Sequence, residues 1–169
     1  NKRMIRKLSE MGELKFKILE DHTDFNKTLA IGISQKSNRY DSTGNRNIYR
    51  NKSIKSFFTN IYDLKKKGIN IHLSALILDD EILATHLGIL FGKCFYYLSP
   101  TFNHDSKWKK YSLGRIHLEK LTEWAINNKV DKFDFTIGAE EYKQLWCNNE
   151  MDIYRHFKIR SVRGIGFYI

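Results

Sequence analysis

The sequence predicts a single α/β domain built on a mixed sheet, and three observations predict it. Apolar residues alternate in some segments and recur at helical spacing in others. Three strand-like segments follow one another across gaps of turn length, which calls for antiparallel pairing. Other strand-like segments are separated by amphipathic helices, which calls for parallel pairing. A chain of 169 residues is enough for one core and short for two.

The elements follow in order. Leu14, Phe16 and Ile18 alternate with Lys15 and Lys17, the pattern of a half-buried first strand. Thr23-Asp24 opens a helix that carries Phe25, Leu29 and Ile33 on one side, with Ile31 near them. Thr43-Gly44-Asn45 reads as a loop. A second helix runs from about Asn51 to Lys67, with Ile54, Phe57, Phe58, Ile61 and Leu64 at helical spacing. Its closing Lys65-Lys66-Lys67 suits the negative end of the dipole, and Gly68 stands where a left-handed terminator belongs. Ile69 to Leu78, Ile82 to Phe91 and Cys94 to Leu98 then form a meander, turned at Asp79-Asp80 and Gly92-Lys93. Ser99 to Ser112 reads as a polar loop, Leu113 to Asn128 as an amphipathic helix and Val130 to Thr136 as a fifth strand. Past Gly138 come a short helix, Glu140 to Cys147, and two closing strands, Met151 to Ile159 and Gly164 to Ile169. The order is β-α-α-β-β-β-α-β-α-β-β.

Hydrophobic residues at 41% and charged ones at 28% are the balance of an ordinary globular domain. No stretch approaches the roughly 18 uninterrupted apolar residues of a membrane-spanning helix. Asn1 to Glu10 is basic but has neither the apolar run nor the cleavage site of a secretion signal. The two cysteines, Cys94 and Cys147, lack metal or redox spacing, which suits a reducing, cytoplasmic compartment. The chain opens without an initiating Met and so reads as a part of something longer. Its net charge of +10 calls for an anionic partner (nucleic acid, acidic lipid or a polyphosphate) or serves only solubility, since the lysines are widely spread.

The run Lys109-Lys110-Tyr111-Ser112-Leu113-Gly114-Arg115 is the most informative local feature. A small-residue loop entering a helix presents free N–H groups and the positive end of the dipole to an anion, and Gly114 allows close approach. Lys107, Lys109, Lys110 and Arg115 would add charge. The plainer alternative is that Ser112 caps the helix. Asp134, between Phe133 and Phe135 in an apparently central strand, is either a functional carboxylate or the structural partner of a nearby cation or N–H. His86, in Ala84-Thr85-His86-Leu87-Gly88, is either a cleft residue or a satisfied core histidine. Glu140 and Glu141 suit the dipole of the short helix, Trp146, Cys147 and Cys94 suit packing, and the histidines show no ligand spacing, so no metal is expected.

Tyr111 to Glu119, with Trp124-Ala125-Ile126 and Phe133-Asp134-Phe135, resembles the CelD-like branch of the GNAT acyltransferases. Arg39-Tyr40, Ala84 to Gly88, and Gly138 to Lys143 with Trp146-Cys147 are similar to that branch as well. The resemblance implies a GNAT fold and transfer of an acetyl or acyl group from acyl-CoA to an amine or hydroxyl, a saccharide or cell-envelope precursor being the associated acceptor. It implies that Lys109 to Arg115 hold the cofactor, with Lys109 in place of the family's Gln/Arg and Ser112 in place of its first Gly. In the mechanism so implied, Asp134 or His86 is the base, Tyr142 protonates the thiolate and Lys143 contacts a phosphate. Tyr142-Lys143 before Trp146 is also similar to the Fem-type transferases, which use aminoacyl-tRNA. That likeness implies a tandem protein of which this chain is the C-terminal half, with residues 1–12 as a basic connecting helix against a second GNAT-like domain. The altered phosphate loop and Ala139, where the branch carries Asp, leave a third reading, a non-catalytic binding module.

Overall fold

The computed structural model describes residues 1–44, 46–154, 156 and 158, in two compact units, Asn1–Thr136 and Ile137–Ile169. The first unit runs α1 (Lys2–Ser9), β1 (Leu14–Ile18), α2 (His22–Ser42), a 3-10 turn (Ile48–Arg50), α3 (Lys52–Thr59), α4 (Asp63–Lys66), β2 (Asn70–Leu78), β3 (Glu81–Phe91), β4 (Cys94–Phe102), a second 3-10 stretch (Ser106–Tyr111), α5 (Leu113–Asn127) and β5 (Lys132–Asp134). The second contains α6 (Glu141–Gln144). The sheet order is β1-β2-β3-β4-β5, antiparallel until β5, which joins β4 in parallel. This is the mixed α/β sheet the periodicities call for, with both kinds of pairing in place.

Helices cover both faces. On one, Phe25 and Leu29 of α2 meet Ile71, Leu73, Ala75 and Leu87 from the sheet, with Ile61 beside them. On the other, Leu113 and Ile116 of α5 pack with Leu76, Leu83, Ala84, Trp108 and Tyr111, and α1 adds Leu8, which is fully buried. Burying a leucine of this kind contributes about 1.5–3 kcal/mol, and Met4 and Ile5 of α1 pack against the same core, so the basic helix is fastened by its apolar side.

Several boundaries differ from the sequence reading. Helix α2 starts from Asp21, whose carboxylate accepts the N–H groups of Thr23 and Asp24, so the cap stands two residues before the expected Thr23 opening. The helix expected over 51–67 is broken at residues 60–62. There the Asn60 side chain donates to Ser56 O at 2.9 Å, competing for a helical carbonyl. Strand β4 runs on to Phe102, and a 3-10 stretch follows, where a polar loop was expected over 99–112. Strand β5 is shorter than the expected 130–136. Among the described residues it is also an edge strand and not a central one. The first closing strand does not form in the described part of 151–158, and 164–169 lies outside the described residues.

Two irregularities in β4 position the site. Its pairing with β5 covers only Cys94, Phe95 and Tyr96, so the strands part while β4 continues for six more residues. Pro100, which cannot donate to a ladder, lies in this half, paired on one side only. Opposite Leu87 and Gly88 the register shifts, because Ser99 pairs with Leu87 and Tyr97 with Gly88, leaving Leu98 as a bulge. Side chains alternate along a strand, so Tyr97 and Ser99 would otherwise share a face. The bulge sends Tyr97 to the α5 face and Ser99 to the α2 face.

Candidate active site

The turn into α5 borders an open cavity of about 220 Å³ lined by Phe102, His104, Lys109, Ser112, Gly114 and Arg115, with Leu113 and Trp108 at its base. Ser112 is the N-cap residue of α5 in a left-handed conformation (φ 52°, ψ 48°), and its side chain makes no capping hydrogen bond. Its carbonyl accepts the N–H groups of Arg115 and Ile116 at 2.9 and 3.2 Å. The N–H groups of Leu113 and Gly114 make no backbone hydrogen bond among the described residues. The anion-seeking donors are thus the first two of the helix, and the Arg115 N–H is already engaged. A Cβ on Gly114 would lie 3.2 Å from the Phe102 ring, so this residue keeps the turn open.

The charges divide unevenly. Lys109 and Arg115 line the cavity, whereas Lys107 pairs with Glu81 at 3.0 Å and lies over the Trp108 ring. Lys110 lies over the ring of Tyr111, itself buried with its hydroxyl donating to Met11 Sδ at 3.3 Å. Tyr111 therefore contributes packing under the turn and Lys110 stands beside it. His104 stacks on Phe102, and its pKa is lowered first by burial and then by the cations of Arg39 and Lys109, a sign of the local positive potential.

Glu81 is a positioning residue that sequence reasoning missed. Its carboxylate accepts from Trp108 Nε1 at 3.0 Å, Asn103 Nδ2 at 3.1 Å and Lys107 Nζ at 3.0 Å, tying the loop before α5 to the start of β3. Burial raises its pKa, but these three donors outweigh it and hold the carboxyl below its ordinary range. Only the fold brings residue 81 to residues 103–108.

A turn with two unengaged N–H groups leads into α5, and the parallel β4–β5 pair parts after three residues. Residues 1–144 match the family described as Acetyltransferase (GNAT) domain. The chain belongs to the GNAT acetyltransferase family. Solved structures share the fold at low identity. An aminoglycoside acetyltransferase from an uncultured soil metagenomic sample, in complex with sisomicin, has a TM-score of 0.56 at 10% identity, covering 88% of this chain and 97% of that one. An integron cassette protein from the mobile metagenome of V. cholerae reaches 0.57 at 14%, covering 92% and 96%. A ribosomal-protein-alanine N-acetyltransferase from Brucella melitensis biovar Abortus 2308 reaches 0.54 at 6%, covering 88% and 99%. No curated protein matches the sequence.

In this GNAT domain the residues named as bases have different surroundings. Asp134 is half-buried on β5, 3.0 Å from Lys132 Nζ, and it accepts the Thr136 N–H at 2.8 Å. It is not a carboxylate sealed in a central strand. His86 is fully buried on the α5 face, its ring stacked on Tyr97 at 4.2 Å and 7°. Neither of its ring nitrogens meets a hydrogen-bond partner among the described residues, and burial holds its pKa well below 6.5. In the second unit, Tyr142 has its pKa raised by burial and by Glu140. Lys143 donates to the carbonyls of Ile137 at 2.9 Å and Gly138 at 3.3 Å and pairs with Glu140 at 2.8 Å, fastening the turn before α6. Among the described residues no group of His, Cys, Asp and Glu is arranged to hold a metal, and no helix is long and apolar enough to cross a membrane.

Proposed function

We propose that this GNAT domain transfers an acyl group from acyl-CoA, acetyl-CoA in the simplest case, to an amine or hydroxyl of an acceptor. The observation that carries the reading is the open turn at Ser112–Gly114, with two unengaged helix N–H groups, Lys109 and Arg115 around one cavity. These groups fit a pyrophosphate, because the N–H donors and the dipole favour the anion and the two cations neutralise it. From there the thioester arm would run along the half of β4 that β5 leaves unpaired. Backbone N–H groups near the Leu98 bulge would then be available to polarise the thioester carbonyl. The acceptor attacks the carbonyl directly, and no covalent enzyme intermediate is required.

Calorimetric titration with acetyl-CoA tests the donor. Micromolar affinity is expected for the wild type, with Gly114→Val weakening it by about tenfold or more. A folded domain that shows no binding at high micromolar acetyl-CoA sinks the reading. If the same domain instead binds tRNA with a steep salt dependence, the donor is aminoacyl-tRNA, which the charge of +10 would suit.

A further inference from the structure

The α2 face of the sheet carries a polar cluster that neither the phosphate turn nor the expected bases account for. Lys36 of α2 donates to Ser99 Oγ at 2.6 Å. No carboxylate among the described residues lies within ion-pair distance of it. Lys36 is half-buried, and an ammonium drawn out of water without a counter-ion is costly, the usual relief being loss of its proton. Burial, followed by the charge of Arg39, lowers its pKa to about 8. Tyr49, buried beside Ser99, has its pKa raised by burial and by Tyr40. Beside them lies a small space of about 10 Å³, the size of one water centre, lined in part by Thr85 and Thr101. Thr101 Oγ1 is buried without a partner.

The placement follows from the two irregularities of β4. The bulge turns Ser99 onto this face, and the early departure of β5 leaves that part of β4 without a neighbour on its outer side among the described residues. Ser99 is half-buried, in front of Lys36. Gly32 lets α2 come this close, since a Cβ there would lie 2.4 Å from Thr85 Oγ1.

We propose that Ser99 and Lys36 form the proton exit of the transfer reaction, with the Ser99 hydroxyl meeting the acceptor and Lys36 acting through it. The acceptor's N–H or O–H group attacks the thioester carbonyl, so a C–N or C–O bond forms and the C–S bond breaks. The acceptor's proton passes to Ser99 Oγ as the serine's own proton passes to the neutral Nζ of Lys36. CoA leaves as the thiolate, and the Lys36 ammonium returns its proton to solvent. The inference rests on the acyl-CoA reading above. The charged and titratable groups near Lys36 are Arg39 on its own helix and Tyr49 on the 3-10 turn, with His86 across the sheet on the α5 face. His86 stays neutral throughout the working range, so the profile belongs to Lys36.

The experiment combines three measurements on wild type, Lys36→Met, Lys36→Arg and Ser99→Ala. They are thiol release from acetyl-CoA against pH, with glucosamine or water alone as the acceptor probe, acetyl-CoA affinity, and NMR titration of the Lys36 side chain. The wild-type rate should rise to a plateau above pH about 8. Lys36→Met and Ser99→Ala should lose about 100-fold at unchanged acetyl-CoA affinity. Lys36→Arg should fail to restore the rate, because its proton does not leave. Rates within twofold of wild type in Lys36→Met or Ser99→Ala overturn the proposal. So does a Lys36 that titrates near the ordinary lysine value of about 10.4. A wild type that binds acetyl-CoA but releases thiol to neither probe overturns the proton exit and leaves the donor reading standing. Absence of acetyl-CoA binding removes the donor reading, and the proton exit with it.

Discussion

The two faces of the sheet carry titratable groups in opposite circumstances. Between α5 and the sheet lie His72 and His86 of the sheet and His117 of α5, all buried among aromatic rings. His72 packs on Trp124 with ring centroids at 4.2 Å, His86 stacks on Tyr97, and His117 Nε2 lies 3.1 Å from Ser74 Oγ. Beneath α2 lies Lys36, with a hydroxyl partner and a route to the unpaired half of β4. Both sets have lowered pKa values with burial as the first cause. A perturbed titration is therefore no guide to function by itself; whether the group meets a place where substrate can stand is what separates the two faces. The histidines are buried between α5 and the sheet, whereas Lys36 stands against Ser99 on the half of β4 that β5 leaves unpaired.

The largest expected effect that tests this contrast is acid unfolding. Burial lowers the pKa of His72 to about 4 and that of His117 to about 3 from an ordinary 6.5, and holds that of His86 well below 6.5. Folding thus favours the neutral rings. Their contribution is complete above pH about 6.5 and is lost as pH falls toward 4 and 3, at up to about 1.4 kcal/mol per histidine per pH unit. Denaturant melts between pH 6.5 and 4.5 should show a slope approaching three protons, falling to about two in His86→Phe. A flat stability over that range would break the contrast. Next in size are core deletions. Trp124→Ala should cost about 3 kcal/mol in a urea melt, while Lys36→Met should change stability by less than about 1 kcal/mol, because it removes a half-buried cation and keeps most of the volume. If Lys36→Met destabilises as much as Trp124→Ala, the α2 face is structural too.

Smaller effects sharpen the site. Glu81→Ala should free Trp108, Asn103 and Lys107 and weaken acetyl-CoA binding by about tenfold, or 1.4 kcal/mol by calorimetry, without touching any group that lines the cavity as a cation. Saturating CoA should raise the His104 pKa, read from its ring NMR signals, because bound phosphates oppose the influence of Arg39 and Lys109. Asp134→Asn should change stability by no more than about 0.5 kcal/mol, since Lys132 is an exposed partner and the amide oxygen still accepts the Thr136 N–H. A hundredfold loss of turnover in Asp134→Asn would assign the base role to that residue.

The sequence by itself determined the element types and most of their order. Strand alternation and helix periodicity are local, so β1, the β2-β3-β4 meander, α2 and α5 were legible from neighbouring residues, as was the small-residue turn at Ser112–Gly114. Helix breaks and strand ends were less legible, because Asn60 and Asp21 act through hydrogen bonds that propensity alone does not rank. Only the tertiary structure decided which candidates meet. Glu81 reaches the loop before α5 across a sheet register, Asp134 became an edge-strand residue paired with Lys132, and His86 was sealed under α5. The one-residue bulge at Leu98 placed Ser99 opposite Lys36 and not beside Tyr97. Period-2 alternation reads Tyr97 and Ser99 as one face, and no local signal marks where a ladder slips. That depends on how β3 and β4 accommodate the helices on both sides.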